Sequence, residues 1–521
     1  MPPLCPILSH LRLILATVSY TRGGVEKNMV KRKVSGYLSK SMFIRGHQCL
    51  KSLWLHKYRP ELKEEADEAL EARFRTGHEV GALAQQLFPG GVEVPYDGLT
   101  HAEQLAMTQK LLAEGKETIY EATFEHDGVF VKVDILHRGA AGWEILEVKG
   151  TTEVKEYHYF DTAIQLYVLA GSGLKIAKVA LFHIDKRYKR RGAIDVQKLF
   201  AIEDITAQVR EMQPNIAPAL AEMRTMLAGE MPAIDIGPHC SDPYDCDFHG
   251  HCWGHIPEDS VFDLRERGVD KFALYAKRIV RQADIPLDTL NRKQRQQVES
   301  TIKQCDTLGR EDVRTFLSSL WYPLCFLDFE TVNPAIPLFD DSLPYQKIPF
   351  QYSLDVQMQE GGELQHHEFL ALPGVDPRRA LTDGLIAQIP AGACIIAWNQ
   401  GFETGVLGSM AGLFPDLAPR IEKMIEGFRD PMTLFRDRTV YLWQQKGSYS
   451  IKAVLPALVP ELSYDGLDVA DGDMAMGAYY DMCATQDPQE VARIRKALLE
   501  YCGLDTMAMV RIVEKLRKMA V

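Results

Sequence analysis

The sequence predicts a two-domain α/β protein, and three observations carry that expectation. The chain of 521 residues is too long for one typical domain, and its hydrophobic fraction of 46% is that of a globular protein. Strand-like and helix-like patterns alternate in both halves of the chain. A charged helical stretch, residues 262–320, separates the two alternating runs.

The segment PLCPILSHLRLILATV is apolar but short. It is interrupted by Pro6, His10 and Arg12, so it reads as neither a signal peptide nor a membrane span. Met29 opens MVKRKVSGYLSKSMF like a natural start, and residues 1–28 read as a disordered extension or as the product of a misplaced start codon. With no export signal, a cytoplasmic protein is expected. Structural disulfides are rare in that compartment, so clustered cysteines point to metal.

The first domain is expected over residues 29–260. EADEALEARFRTGHEVGALAQQL spaces its apolar residues by three and four, as a helix does. TIYEATFEHDGVFVKVDILHR reads as two strands joined by a tight turn at His126, Asp127 and Gly128, and GWEILEVKG as a third strand. HYFDTAIQLYVLAGSG reads as a helix ending at glycine, and KVALFHID as a strand. Residues 261–320 form the expected helical connector. A second α/β domain follows over 321–521, closed by the helical pattern VARIRKALLEYCGLDTMAMVRIVEKLRK.

Charge limits function only weakly. The 59 basic and 71 acidic residues give a net charge of -12, which excludes a chain coated in positive charge. It leaves room for a local nucleic-acid groove beside acidic metal centres. The basic run DKRYKRRG, residues 185–192, reads equally as a solvated turn or a phosphate contact. GxxxxGK[ST] is missing, so an ATP-driven motor is not indicated.

Three constellations carry chemistry. In VKVDILHRGAAGWEILEVKG, Asp134, Glu147 and Lys149 fall on neighbouring strands, with Glu147 and Lys149 on one face. Carboxylates can hold Mg2+ or Mn2+ there while the lysine stabilises charge or orients a nucleophile. Taken singly, each is more often a surface charge. Their order, together with His78 on the preceding helix and Gln165 on the following one, resembles the RecB-type branch of the PD-(D/E)xK nuclease superfamily over residues 38–256. The resemblance implies a restriction-endonuclease-like fold, His78, Asp134 and Glu147 as metal ligands, and Lys149 and Gln165 as catalytic residues. The family's tyrosine four residues after the glutamine is replaced here by Tyr167 at a different spacing. Glu121 reads as a neighbour of Asp134 or as a solvated strand position.

HCSDPYDCDFHGHCW places Cys240, Cys246 and Cys252 in one turn-rich segment. Three close thiols suit zinc, with His239, His249, His251 and His255 as further candidates, or an iron–sulfur cluster with a fourth thiolate. That fourth is expected from Cys49. One cysteine before the nuclease core and three after it resembles the iron–sulfur members of the same nuclease branch, and implies a 4Fe–4S cluster stapling the two ends of the domain, with Zn2+ as the alternative.

In LCFLDFETV, Asp328 and Glu330 lie two apart on an apolar strand and project together, an arrangement that calls for a cation. ACIIAWNQGFETGVL adds Asn399 and Glu403, and EYCGLDTMAM spaces Tyr501 and Asp505 four apart on a helix. These motifs in this order resemble the DEDDy branch of DnaQ-like 3′–5′ exonucleases, which implies a ribonuclease H-like fold over residues 321–521. The implied metal ligands are Asp328, Glu330, Glu403 and Asp505, with Tyr501 orienting water. Glu403 stands where that family has aspartate, and its extra methylene is expected to displace a ligand. Asp430 reads as another ligand or a cap.

The expectation is a Mg2+- or Mn2+-dependent nuclease with two nuclease domains. Its preferred substrate is DNA with single strands or accessible ends, and it is not a membrane protein. Uncharacterised bacterial proteins share this resemblance as a two-domain arrangement. The alternatives are an RNA exonuclease, or a non-catalytic nucleic-acid-binding protein holding iron–sulfur or zinc.

Overall fold

Two mixed sheets, each covered by helices on both faces, organise the chain. The structure is a computed structural model that describes residues 37–65 and 68–521, with backbone alone for 68–72. The expected extension at 1–28 lies outside the described residues.

In the first lobe, β1 (Leu38–Ser39) runs into α1 (Lys40–Gln48), where the Ser39 hydroxyl accepts from the Met42 amide at 3.1 Å and caps the helix. Next come α2 (Leu50–Tyr58), α3 (Glu68–Gln85), β2 (Val92–Glu93) and α4 (His101–Ala113). β3 (Thr118–His126) and β4 (Val129–Gly139) form the expected hairpin. Its turn residues Asp127 and Gly128 have φ of 49° and 63°, the doubly positive geometry that matches strand twist. β5 (Gly142–Lys149) completes an antiparallel meander, and α5 (Glu156–Gly171) carries the chain to β6 (Ile176–Ile184), parallel to β5. One-turn α6 (Val196–Leu199), β7 (Phe200–Asp204) and α7 (Thr206–Ala228) follow. The sheet order is β2–β3–β4–β5–β6–β7, with β1 beside β4.

Alternation along the strands sorts the two faces of this sheet. Val133, Ile145 and Val179 pack with Ile164 and Leu169 of α5 and Leu220 of α7, whereas Ile135, Leu146 and Phe182 pack with Val80 of α3. Val133 and Ile135 would share a face in a regular strand, yet they join opposite cores. The slip falls at Asp134. Across the hairpin, Glu121 has φ of +53°, a left-handed conformation that is strained in a strand.

The cysteine segment contains α8 (His249–Trp253). The connector that follows is only partly helical. α9 (Lys271–Ala276), α10 (Arg292–Lys303) and three single 3-10 turns surround a small core of Val261, Leu264, Ile285, Leu290 and Val298, while Val313 of α11 (Arg310–Ser318) joins the core of the second lobe. It is also docked on the second lobe. β8 (Thr307–Leu308) pairs with β14 (Val440–Tyr441), and Lys293 donates to the Arg436 carbonyl at 2.7 Å.

The second sheet contains β9 (Leu324–Val332), β10 (Ile348–Gln357), β11 (Leu364–Leu370), β12 (Cys394–Ile396) and β13 (Phe428–Arg429) in the order β11–β10–β9–β12–β13. β10 is antiparallel to both neighbours, and β12 is parallel to both of its own. α12 (Arg378–Gln388), α13 (Gly401–Leu413) and α14 (Ala418–Glu426) cover the face bearing Leu327 and Phe329. α15 (Met432–Arg436) precedes β14. α16 (Ile451–Leu458), α17 (Gly472–Ala484) and the 33-residue α18 (Pro488–Ala520) cover the face bearing Phe326.

Leu38–Val521 form one compact unit. The basic run 185–192 helps to join its lobes. Arg190 donates to the carbonyls of Pro337 and Leu338 at 2.9 and 2.6 Å, its own carbonyl accepts from the Asp341 amide at 2.8 Å, and Lys189 pairs with Asp341 at 2.9 Å. These basic side chains are anchored to the 337–342 loop.

Candidate metal centres

In the first lobe, the β4–β5 ladder pairs Ile135 with Leu146 and stops there. One step further, Asp134 would face Glu147. Instead its Oδ2 accepts from the Val148 amide at 2.7 Å, so a side chain substitutes for the ladder and the strands fork around two acids. Glu147 is 1% exposed and fully engaged. Its Oε1 accepts from Lys149 at 2.7 Å and Lys40 at 2.9 Å, and its Oε2 accepts from Gln165 at 2.7 Å.

Lys40 and Asp161 belong to this network although sequence reasoning missed them. Asp161, on α5, accepts from Lys149 at 2.5 Å and pairs with Lys40 at 3.2 Å. Against the cost of burial, Lys149 and Lys40 hold Asp161 far below the usual carboxylate range. Burial would lower Lys149, but Asp161, Glu147 and Asp134 keep it well above its ordinary value. Burial and then the Glu147 charge push Asp134 up to about 7. Burial also raises Glu121, which feels Lys132, Glu147 and Lys40. The sequence signal for Asp161 is its place four residues before Gln165 on the same helical face.

Two expected partners stand elsewhere. His78 is exposed on α3, which packs on the sheet face opposite α5, and the structure does not bring it into the lysine–carboxylate network. Tyr167 donates to Asp127 at 3.1 Å at the hairpin turn.

All four expected cysteines line one small cavity of about 20 Å³, together with His239 and His249. Cys49 caps the C-terminus of α1, its amide donating to the Arg45 carbonyl at 2.8 Å. Cys246 donates its amide to the Cys240 carbonyl at 2.8 Å, and Cys252 sits on α8. The cysteine segment is clamped to α1. Arg45 grips Asp247 with two hydrogen bonds of 2.6 and 2.9 Å, and Gln48 donates to the carbonyls of His239 and Tyr244. Burial raises the Cys49 and Cys252 thiols. His255 is turned to the Tyr275 hydroxyl at 2.7 Å.

In the second lobe, Asp328 and Glu330 share the β9 face of Phe326 and point at α18, as a two-residue spacing requires. Ligand oxygens of Asp328, Glu330 and Asp505 lie within 4.8 Å of one another. Among the described residues no other set of three histidines, cysteines or acids is that close. α18 is fixed by Gln351, which donates to the Leu498 carbonyl at 2.8 Å, and by a Ser353–Thr506 hydroxyl bond of 2.8 Å.

Crowded buried acids resist ionisation. Burial, then Asp505, Glu330 and Glu403, raise Asp328 well above its ordinary value. Burial and Asp505 push Glu330 up to about 8. Burial takes Asp505 only to about 6, because hydrogen bonds from Tyr464 and Tyr501 and the charge of Lys452 oppose it. Lys452 stands 5.2 Å from the Tyr501 ring centre and 5.8 Å from that of Tyr464.

Glu403 lies outside the 4.8 Å group, yet its charge is felt by Asp328. It is 2% exposed, its Oε2 has no hydrogen-bond partner, and burial followed by Asp430 and Glu330 pushes it up to about 8. Asp430 is a brace: it accepts from the amides of Asn399, Gln400 and Met432 at 3.2, 3.3 and 3.0 Å. Those bonds hold Asn399 at φ of +69° and so aim the first turn of α13, which carries Glu403.

Comparison with known proteins adds family relationships without an activity. A domain family described as a domain of unknown function, DUF2779, matches residues 325–450, a stretch holding Asp328, Glu330, Glu403 and Asp430. An uncharacterised protein of Mycoplasma pneumoniae is 29% identical over 219 residues, which is 37% of this chain and 32% of that protein. One of Mycoplasma genitalium is 24% identical over 206 residues, 36% of this chain and 31% of the relative. The chain thus matches about a third of the length of these curated relatives.

Proposed function

We propose that this chain is a metal-dependent nuclease with two separate carboxylate centres. One observation carries the reading: Asp328, Glu330 and Asp505 hold ligand oxygens within 4.8 Å of one another, with the unpartnered Glu403 Oε2 nearby. Such a concentration of acids is expensive unless a cation shares it. All-oxygen donors suit Mg2+ or Mn2+, and a bound ion of that kind would polarise a phosphodiester and lower the pKa of water. The protein's part is to fix the acids between β9 and α18, to present the Tyr501 hydroxyl beside Asp505, and to keep Lys452 close as a positive charge.

The strand orders support the finer reading. A five-stranded sheet in the order β11–β10–β9–β12–β13, with β10 reversed, is the arrangement expected of a ribonuclease H-like domain. The meander β3–β4–β5 followed by α5 and the parallel β6 suits a restriction-endonuclease-like domain, where Asp134 and Glu147 would hold metal and Lys149 would stabilise developing charge. At the cysteines, a single tetrahedral zinc would draw sulfurs to about 3.8 Å, given bonds of about 2.3 Å. No three of these thiols lie within 4.8 Å of one another, a spacing that suits the four separate thiolates of a 4Fe–4S cluster better than a single zinc ion.

The test is purified protein with end-labelled single- and double-stranded DNA and RNA, with and without Mn2+. Metal-dependent shortening of DNA is expected. Cleavage of RNA alone would move the substrate to RNA, and no cleavage of any polymer would overturn the reading.

A further inference from the structure

A solvent-open cleft of about 580 Å³ lies between the two lobes. One wall is α3 and the loop after β5; the other is α17 and the loop after β9. Gly150, immediately beyond Lys149, lies at one end of its lining. Asn333 lies three residues beyond Glu330, about 10 Å at 3.3 Å per residue. Asp473 follows Gly472, whose Cβ would stand 3.8 Å from the Glu330 carboxylate. The strands bearing both sets of acids therefore run out into the same cleft.

Its lining combines cations and aromatics. Arg73 and Arg75 are exposed on α3, Tyr345 is 38% exposed, and Tyr480 faces from α17. Of the acids, Asp481 is paired with Arg75 at 3.8 Å, and Asp473 is exposed at the start of α17. Two glycines add an independent argument. Gly77 and Gly477 sit inside α3 and α17, where glycine costs about 1 kcal/mol relative to alanine. A Cβ at either would meet nothing within 4 Å, so packing within the protein does not require them. Both line the cleft, one on each wall.

We infer that this cleft binds a single strand of nucleic acid and serves both carboxylate centres, with the glycines leaving its walls bare for close approach of the strand. Arg73 and Arg75 would meet phosphates, and Tyr345 and Tyr480 would stack on bases. A strand suits this lining better than a duplex, because the tyrosine faces need unstacked bases. The inference rests on the nuclease reading for its substrate class.

The test uses the full chain with Gly77→Leu and Gly477→Leu, and separately with Tyr345→Ala and Tyr480→Ala. Binding of a fluorescent single-stranded DNA oligomer is followed by anisotropy in a Glu147→Ala, Asp328→Ala background, and hydrolysis of bis(p-nitrophenyl) phosphate in the otherwise native protein. The leucine pair should leave thermal unfolding unchanged or raised, while oligomer affinity falls at least tenfold and falls by a larger factor than the rate of small-diester hydrolysis. The tyrosine pair should also weaken the oligomer. Unchanged oligomer affinity in the folded leucine pair, or native binding of duplex alone, overturns the inference. Cleft-dependent binding without hydrolysis of any diester would keep the cleft and overturn the nuclease reading. Hydrolysis of both substrates with cleft-independent binding would do the reverse.

Discussion

The Tyr464 hydroxyl donates to Asp505 Oδ1 at 2.5 Å, a buried bond between residues 41 positions apart. A donor to a carboxylate stabilises its charged form, so this bond helps to keep Asp505 ionisable in a site that otherwise resists charge. Tyr464→Phe should raise the Asp505 pKa and shift the acid limb of the second centre's pH–rate profile to higher pH. Its activity near neutrality should fall by about three- to tenfold, since a hydrogen bond to a charged group is worth about 1.5–3 kcal/mol and part of that is recovered by solvent. An unmoved acid limb would count against this role.

Metal removal should make stability depend on pH. Glu330 and Glu403 are raised to about 8 and Asp505 to about 6, so the folded state holds protons that the unfolded chain has released. Stability from these protons is present at low pH and is lost as pH rises through about 6 and then 8. Thermal unfolding in EDTA should therefore occur at falling temperature from pH 5 to pH 9. Saturating Mn2+ should offset part of the loss, contributing about 2.7 kcal/mol at a hundredfold excess over Kd.

The two centres should fail separately. Glu147→Ala should silence one product pattern on end-labelled DNA and Asp328→Ala the other, each by about a thousandfold or more, because charge neutralisation and water activation are lost together. Tyr501→Phe should weaken the second pattern less than Asp505→Ala does. If Asp328→Ala leaves every product ladder unchanged, the second lobe is not a working nuclease.

Anaerobically purified protein should be brown and contain iron and sulfide. Cys49→Ala should lose that metal and lower the unfolding temperature of the first lobe, since metal-binding energy is also folding energy. Stoichiometric zinc in a colourless native protein would reverse the cofactor assignment.

Asp430→Ala should strand three amides that now share its carboxylate, at a cost of about 1–3 kcal/mol. Chemical denaturation reads the loss. Asp430→Asn, which keeps one acceptor oxygen, should recover part of it.

What the sequence made legible was local or motif-like. The hairpin at Asp127 and Gly128, the paired acids on β9 and the turn between Tyr501 and Asp505 follow from periods of two and of three to four. What it concealed was assembled across distance. Lys40 lies 107 positions from Glu147, and an isolated lysine after Ser39 carries no periodic signal. Tyr464 and Lys452 sit in segments whose pattern does not foretell which way they face. Glu403 reads in the sequence as a fourth ligand, and it stands outside the tight group of Asp328, Glu330 and Asp505. The docking of Arg190 on the 337–342 loop depends on how the two lobes meet, which no local pattern encodes.

Helix α1 has Lys40 at its first position and Cys49 at its C-terminal cap. Its nine residues span about 13 Å at 1.5 Å per residue, and a hydrogen-bonded helix transmits a displacement of one end to the other instead of absorbing it as a loop would. α1 is tied at Arg45 to Asp247 of the cysteine segment and at Lys40 to Glu147 of β5, so one rigid element is bonded to both sites. One nine-residue helix therefore carries a residue of the cysteine cavity and a residue of the lysine–carboxylate network, although about a hundred residues separate Cys49 from Glu147 in the sequence.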